Sequence, residues 1–126
     1  MSGGAGAPFW EHLAEGAIRI PRCAGCERWT WPAQYRCGEC GGYDFTWREI
    51  NPVGTVFSWT RTHHPFDRDL AASGPYTVIV GELPSADGAR LLGLLADGSA
   101  PVVIGHPVSA GIRLDDRGPR VVWELR

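Results

Sequence analysis

The sequence predicts a mainly β chain made of a short N-terminal helix, a small metal ribbon and a five-stranded barrel. Three observations predict it. All four cysteines lie between Cys23 and Cys40. Upstream of them the apolar residues follow helical spacing. Downstream, from about Thr46, β-branched and aromatic runs alternate with Pro, Gly and Asp. At 126 residues the chain has the length of one ordinary domain or of two very small modules. The cysteines decide between them, because a staple confined to the first third leaves the rest to fold on hydrophobic burial. The expected division is residues 1–17 for helix and arm, 18–47 for the ribbon and 48–126 for the barrel.

The helix comes first. Pro8 suits a first helical turn, Phe9, Trp10 and Leu13 share one apolar face, and Gly16 supplies a stop. A helix of about two turns is unstable alone in water, so this face must dock, either on the chain's own ribbon or barrel or on a second protein. Residues 18–22 lead into the first cysteine pair, 29–35 separate the pairs, Gly41 and Gly42 mark a turn, and 43–47 leave the second pair. Residues 54–62, 76–83, 90–96, 108–114 and 120–125 then read as strands. Five short strands in so few residues suggest a small barrel, with the OB-fold as the obvious candidate. No internal repeat or low-complexity tract stands out.

Strand alternation carries further information. In the last strand Val121, Trp123 and Leu125 share one face, and Val122 lies on a water-facing side between Arg120 and Glu124. In the third strand Leu91 and Leu95 oppose Leu92 and Leu94, and in the second Val78 and Val80 oppose Ile79 and Leu83. A barrel this small fills its interior from one face only. The second apolar face therefore needs a cover: the ribbon or helix, another subunit, or an apolar ligand.

Cys23-x-x-Cys26 and Cys37-x-x-Cys40 have the spacing of two knuckles whose sulfurs converge on one ion. The expected cofactor is a single structural zinc ion. Redox dithiols are the alternative reading, and iron in the same four sulfurs would make an electron carrier and a red protein. Four thiolates close the coordination shell, so the metal serves folding and not Lewis-acid chemistry. The site's formal negative charge calls for compensation by backbone amides or by Arg22, Arg28 and Arg36, unless those arginines simply face solvent.

Other function classes find less support. A net charge of -2 argues against a protein that neutralises phosphate backbones. Residues 1–8 lack the charged start and apolar core of a signal peptide, and no apolar run is long enough to span a bilayer, so a cytosolic protein is expected. No P-loop, dinucleotide fingerprint or nucleophile elbow is present. His63 and His64 sit with Asp67 and Asp69 in a segment expected to be a loop between the first two strands. Adjacent histidines on extended chain point to opposite sides, which makes joint ligation awkward and favours a solvated or partner-contacting loop. His12 and His106 have no neighbours in the sequence that suggest catalysis. The six tryptophans suit packing and interfaces better than base stacking.

The order of these features resembles the DUF35 family. The resemblance rests on the Phe9-Trp10 helix, Ile20-Pro21-Arg22-Cys23-Ala24-Gly25-Cys26, Trp31-Pro32, Arg36-Cys37-Gly38-Glu39-Cys40-Gly41, Gly54-Thr55-Val56, Pro75-Tyr76, Glu82-Leu83 and Ile104-Gly105-His106-Pro107-Val108. It covers nearly the whole chain and implies a rubredoxin-like zinc ribbon followed by an OB-fold. It further implies a non-catalytic subunit of an acyl-CoA-processing enzyme of thiolase fold, a thiolase or a steroid side-chain aldolase, with a MaoC-type hydratase as another possible partner. On that reading Trp10, Leu13, Leu92 and Leu94 supply partner contacts, and Arg61, His63 and His64 supply polar contacts to a partner or a CoA thioester. The competing reading is a single-stranded nucleic-acid-binding module of ribbon and OB-fold. One departure stands out: Glu27 follows Cys26 where such knuckles often carry Gly to ease a positive-φ turn.

Overall fold

The computed structural model describes residues 4–62 and 76–126. Helix α1 (Ala7–Ala14) begins with proline in its first turn, and the Gly16 amide closes it by donating to the Leu13 carbonyl at 3.0 Å. Strands β1 (Arg19–Cys23) and β2 (Phe45–Glu49) pair antiparallel, Arg19 opposite Glu49 and Cys23 opposite Phe45. They form the stem of the ribbon, and the chain between them carries the cysteines.

Strands β3 (Val53–Thr62), β4 (Tyr76–Leu83), β5 (Ala89–Leu95), β6 (Pro107–Asp115) and β7 (Gly118–Leu125) close into a barrel in the order β3-β4-β5-β7-β6. Every neighbouring pair is antiparallel except β5 and β7. A five-stranded barrel closed in this order is the OB-fold expected from the strand count. The five expected strands fall where the periodicity put them, with ends that differ by two residues at most.

Trp123 fills the interior. It is fully buried, and its Nε1 donates to the Leu91 carbonyl at 3.2 Å. Glycines on the facing strands make room for it. A Cβ at Gly81 would overlap the indole, and one at Gly93 would stand 2.8 Å from it. Small residues opposite one large ring are how a narrow barrel reaches close packing.

The helix docks on its own chain. Phe9 and Leu13 are buried in one continuous cluster with Ile18, Ile20, Leu91, Leu95, Val121 and Trp123, and α1 packs against β7 and β1. This corrects one expectation: Leu13 is fully buried and offers no surface to a partner. Trp10, one residue from Phe9, stays 38% exposed. Val122 is a second correction. Expected on a wet face, it is buried beside Val121 and Trp123, with Leu94 and Gly111 as its ladder partners.

The ribbon is fastened to the barrel by Trp29, Trp31 and Trp47, which pack on the shared core, and by the Trp29 amide, which donates to Asp87 Oδ2 at 2.9 Å. Asp87 lies in the β4–β5 turn at φ 56°, so a left-handed residue presents the carboxylate to the ribbon.

Candidate metal centre and the apolar face

Cys23 ends β1, Cys26 lies one turn further, and Cys37 and Cys40 form the second turn. The four Sγ atoms all lie within 4.8 Å of one another, with 3.5 Å between Cys23 and Cys40 and 3.6 Å between Cys26 and Cys37. A tetrahedron of sulfurs about 2.3 Å from zinc has edges near 3.8 Å, so the cluster has the size the ion needs. The donor set is all thiolate, which suits zinc and leaves no open position. This is a structural zinc site.

The thiols are unequal. Amides of Cys40 and Glu39 point at Cys37 and hold its thiol down at about 6. At Cys26 the Arg28 amide pulls the same way, but burial and the neighbouring thiols outweigh it and push the group up to about 12. Amide donation from Cys26 likewise lowers Cys23. Cys40 is raised: the Gly42 amide pulls it down, and proximity to Cys23 with other effects outweighs that pull. Crowding four thiols so closely makes simultaneous ionisation costly until a cation is shared among them.

The two knuckles are copies of one design, which the sequence reading missed when it found no internal repeat. In the first, the Glu27 amide donates to the Cys23 carbonyl at 2.9 Å and the Cys23 amide to the Arg28 carbonyl at 2.8 Å. In the second, the Gly41 amide donates to the Cys37 carbonyl at 2.9 Å and the Cys37 amide to the Gly42 carbonyl at 2.8 Å. Glu27 at φ 65° and Gly41 at φ 78° occupy the same left-handed position. The arginine before each knuckle closes it: Arg22 Nε donates to the Glu27 carbonyl at 2.8 Å, and Arg36 Nε to the Gly41 carbonyl at 3.3 Å. Each guanidinium also lies over an aromatic ring, Arg22 over Trp29 at 5.8 Å and Arg36 over Tyr43 at 6.0 Å. Aligning residues 22–29 with 36–43 by their cysteines shows the signal: Arg-Cys-x-x-Cys followed by an aromatic at the same offset.

Glu27 thus adopts the positive-φ turn that Gly usually supplies. Arg22 holds it there, through the carbonyl and through a carboxylate contact at 3.8 Å. Arg22 and Arg36 act on the knuckle backbone, and Arg28 is exposed.

The surplus apolar face is the second feature. Leu91 and Leu95 are buried while Leu92 is 62% exposed, and Val78, Val80 and Leu94 are half-buried on the outside of β4 and β5. The register sets Val78 opposite Leu94 and Val80 opposite Leu92, so the four form one aliphatic band. Phe9, Trp10, Trp31 and Pro32 rise along one side of it. Trp31–Pro32 is a cis peptide.

Arg61 does not join this face. Its Nε donates to Thr77 Oγ1 at 2.9 Å and its NH2 to the Ala100 carbonyl, while Thr77 Oγ1 donates to the Gly98 carbonyl at 2.8 Å. Thr77, buried, is thereby satisfied, and the turn after β5 is tied to the barrel wall. His63 and His64 lie outside the described residues. His12 accepts from Arg19 NH1 at 2.8 Å, and His106 Nε2 donates to the Arg126 carbonyl at 2.9 Å. No helix among the described residues is long and apolar enough to cross a membrane.

Comparison with known proteins matches both halves. Residues 10–46 match the family described as ChsH2, rubredoxin-like zinc ribbon domain, and residues 47–113 the family described as ChsH2, C-terminal OB-fold domain. A solved structure, the "Ltp2-ChsH2(DUF35) aldolase", superposes with a TM-score of 0.82 at 29% identity, over 98% of this chain and 96% of that one. A DUF35 protein of unknown function from Sulfolobus solfataricus shares the fold, with a TM-score of 0.66 at 22% identity over 99% and 87% of the two chains. A protein of Thermomonospora curvata named "Probable enoyl-CoA hydratase alpha subunit" is 36% identical over 103 residues, which is 79% of this chain but 31% of that relative's length. The chain belongs to the DUF35 family in its ChsH2 form, a rubredoxin-like zinc ribbon joined to an OB-fold.

Proposed function

We propose that this chain is a non-catalytic accessory subunit of an acyl-CoA-processing enzyme of thiolase fold, a thiolase or an aldolase, in which the partner performs the carbon chemistry. The observation that carries this reading is the aliphatic band of Val78, Val80, Leu92 and Leu94, left open to solvent beside Trp10. The described residues pair that face with a metal cluster whose shell is closed. A stable apolar face next to an exposed tryptophan has the composition of an interface core. The similarity to an aldolase component along nearly the whole chain, and to one part of a hydratase subunit, supports an acyl-CoA setting. Trp10, Leu92 and Leu94 are the proposed contacts, and a hydratase is the other partner to test. His63 and His64 remain candidates for polar contacts.

The nucleic-acid reading loses ground on the same strands. OB-folds bind oligonucleotides on the face of their second and third strands, where stacking and basic side chains are needed. Here the centre of that face is aliphatic.

Co-expression with the thiolase-like protein encoded nearest to it tests the proposal. The two chains should co-elute as one species, and Leu92→Asp should separate them while zinc content stays unchanged. A chain that elutes alone beside both a thiolase-like and a hydratase candidate overturns it.

A further inference from the structure

The two knuckles share a backbone design but differ in what covers their sulfurs. Aligned by their cysteines, Gly25 of the first corresponds to Glu39 of the second, and Arg28 of the first to Gly42 of the second. A Cβ on Gly25 would stand 3.7 Å from both Cys23 Sγ and Cys40 Sγ, and one on Gly42 would stand 3.4 Å from Cys40 Sγ and 3.8 Å from Cys23 Sγ. Chain neighbours aside, nothing else lies within 4 Å of either position. The two glycines therefore leave one edge of the sulfur cluster bare, the Cys23–Cys40 edge. At the opposite edge their counterparts carry long side chains: the Glu39 amide donates to Cys37 Sγ at 3.4 Å, and the Arg28 amide points at Cys26.

Backbone geometry does not account for these glycines. Gly41 has a positive φ, but Gly25 and Gly42 do not, so the chain itself would accept alanine at both. Exposure follows the same asymmetry. Cys40 is exposed and Cys26 half-buried, while Cys23 and Cys37 are buried. Cys23 Sγ and Cys40 Sγ lie 3.5 Å apart, so they need to close by only about 1.5 Å to reach disulfide length. Oxidation of a thiolate is selected by access, and a small oxidant meets Cys40 first.

We infer that the Cys23–Cys40 edge is a site of oxidation by peroxide, with Cys40 the sulfur attacked and Cys23 the one that resolves it. The Cys40 thiolate attacks one peroxide oxygen, the O–O bond breaks, and the departing hydroxide takes a proton and leaves as water. The Cys23 thiolate then attacks the Cys40 sulfenic sulfur. An S–S bond forms as the S–O bond breaks, and a second proton carries that oxygen away as water. Two thiolates lose two electrons in all, and one peroxide is reduced to two waters. Cys26 and Cys37 alone hold zinc far less well than four thiolates do, so the metal is released. This chemistry is independent of the accessory-subunit reading.

The zinc-loaded, reduced full chain is treated with hydrogen peroxide while a colorimetric chelator follows zinc release, and the reaction is quenched by alkylation at partial release. Trypsin cleavage after Arg28 and Arg36 puts the two knuckles on separate peptides. The expected first product is a disulfide joining Cys23 to Cys40, with Cys26 and Cys37 alkylated, formed at the rate of zinc release. Gly25→Ala and Gly42→Ala, with the zinc content and circular dichroism of wild type, should each slow both processes by roughly threefold to tenfold, because a methyl group then covers the sulfur pair. The mapping on the wild-type chain tests the pairing even where a variant loses zinc. Disulfides within a knuckle, a Cys26–Cys37 disulfide formed first, zinc loss without a disulfide, wild-type rates in both folded alanine variants, or no release at large peroxide excess each overturns the inference.

Discussion

Between Ala24 and Asp44 the only buried side chain is Cys37, whereas in the barrel Val56, Ile79, Leu83, Val108 and Trp123 are all 1% exposed or less. The tip of the ribbon therefore has no core of its own, and the barrel has an ordinary one. Metal binding of such sites is worth on the order of 10–16 kcal/mol, enough to order a segment that hydrophobic burial cannot. In the barrel the same task falls to one tryptophan set against two glycines. The lesson is that two modules of one short chain can be stabilised by unrelated terms, so a perturbation of one need not propagate to the other.

Metal removal is the sharpest way to break that contrast. Chelation under reducing conditions, or replacement of Cys37 and Cys40 by Ser, should strip hydrogen-exchange protection from residues 24–44 and leave β4, β5 and β7 protected. Protection retained in the tip after complete zinc loss would mean it has a core after all. The converse experiment is Trp123→Ala, expected to cost about 3–5 kcal/mol in denaturant unfolding with zinc stoichiometry unchanged in the folded fraction. Gly81→Ala attacks the same contact from the other side and should cost about 1–3 kcal/mol by overpacking.

Within the ribbon, the repeated knuckle gives a finer test. Arg22→Gln and Arg36→Gln should each speed zinc transfer to a colorimetric chelator by roughly threefold to tenfold, the loss of one brace to a strained carbonyl. Transfer rates equal to wild type in both would reduce the arginines to surface charges. Glu27→Gly should be slightly stabilising or neutral, by at most about 1 kcal/mol in thermal unfolding, because relief of a left-handed residue is offset by a freer unfolded chain and a lost Arg22 contact. A clear destabilisation would show that the Arg22 brace outweighs the strain.

The smallest effect belongs to Asp97. The Ser99 hydroxyl, then the Ser99 amide, then the charge of Arg61 hold its carboxyl below the usual value of 3.8. A depressed folded pKa adds stability above the unfolded pKa and loses it as pH falls through the folded one. The melting temperature of Asp97→Asn should therefore sit slightly below wild type near neutrality, and the gap should close in acid. A gap that persists in acid would point to packing and not to charge.

Much of this was legible beforehand. Cys23, Cys26, Cys37 and Cys40 announce their site because ligation depends on spacing alone, and β4 reads correctly because inward Thr77, Ile79, Gly81 and Leu83 alternate with outward residues. The opposition of Leu91 to Leu92 was also visible. The fates of Leu13, Val122 and Arg61 were not, since each depends on what a distant segment lays against it. The repeat of the knuckles escaped because Glu27 stands where its counterpart is Gly41, and only their shared φ makes them equivalent.

The sequence by itself determined the four-cysteine metal site, the ribbon, the strands and the presence of one apolar face too many, because these follow from local spacing and periodicity. Only the tertiary structure decided where that face lies, that the helix sends Phe9 and Leu13 inward while Trp10 stays at its edge, and that two glycines leave one edge of the sulfur cluster bare. Those outcomes are contacts between residues far apart in the chain, and no local pattern encodes which distant surface a side chain will meet.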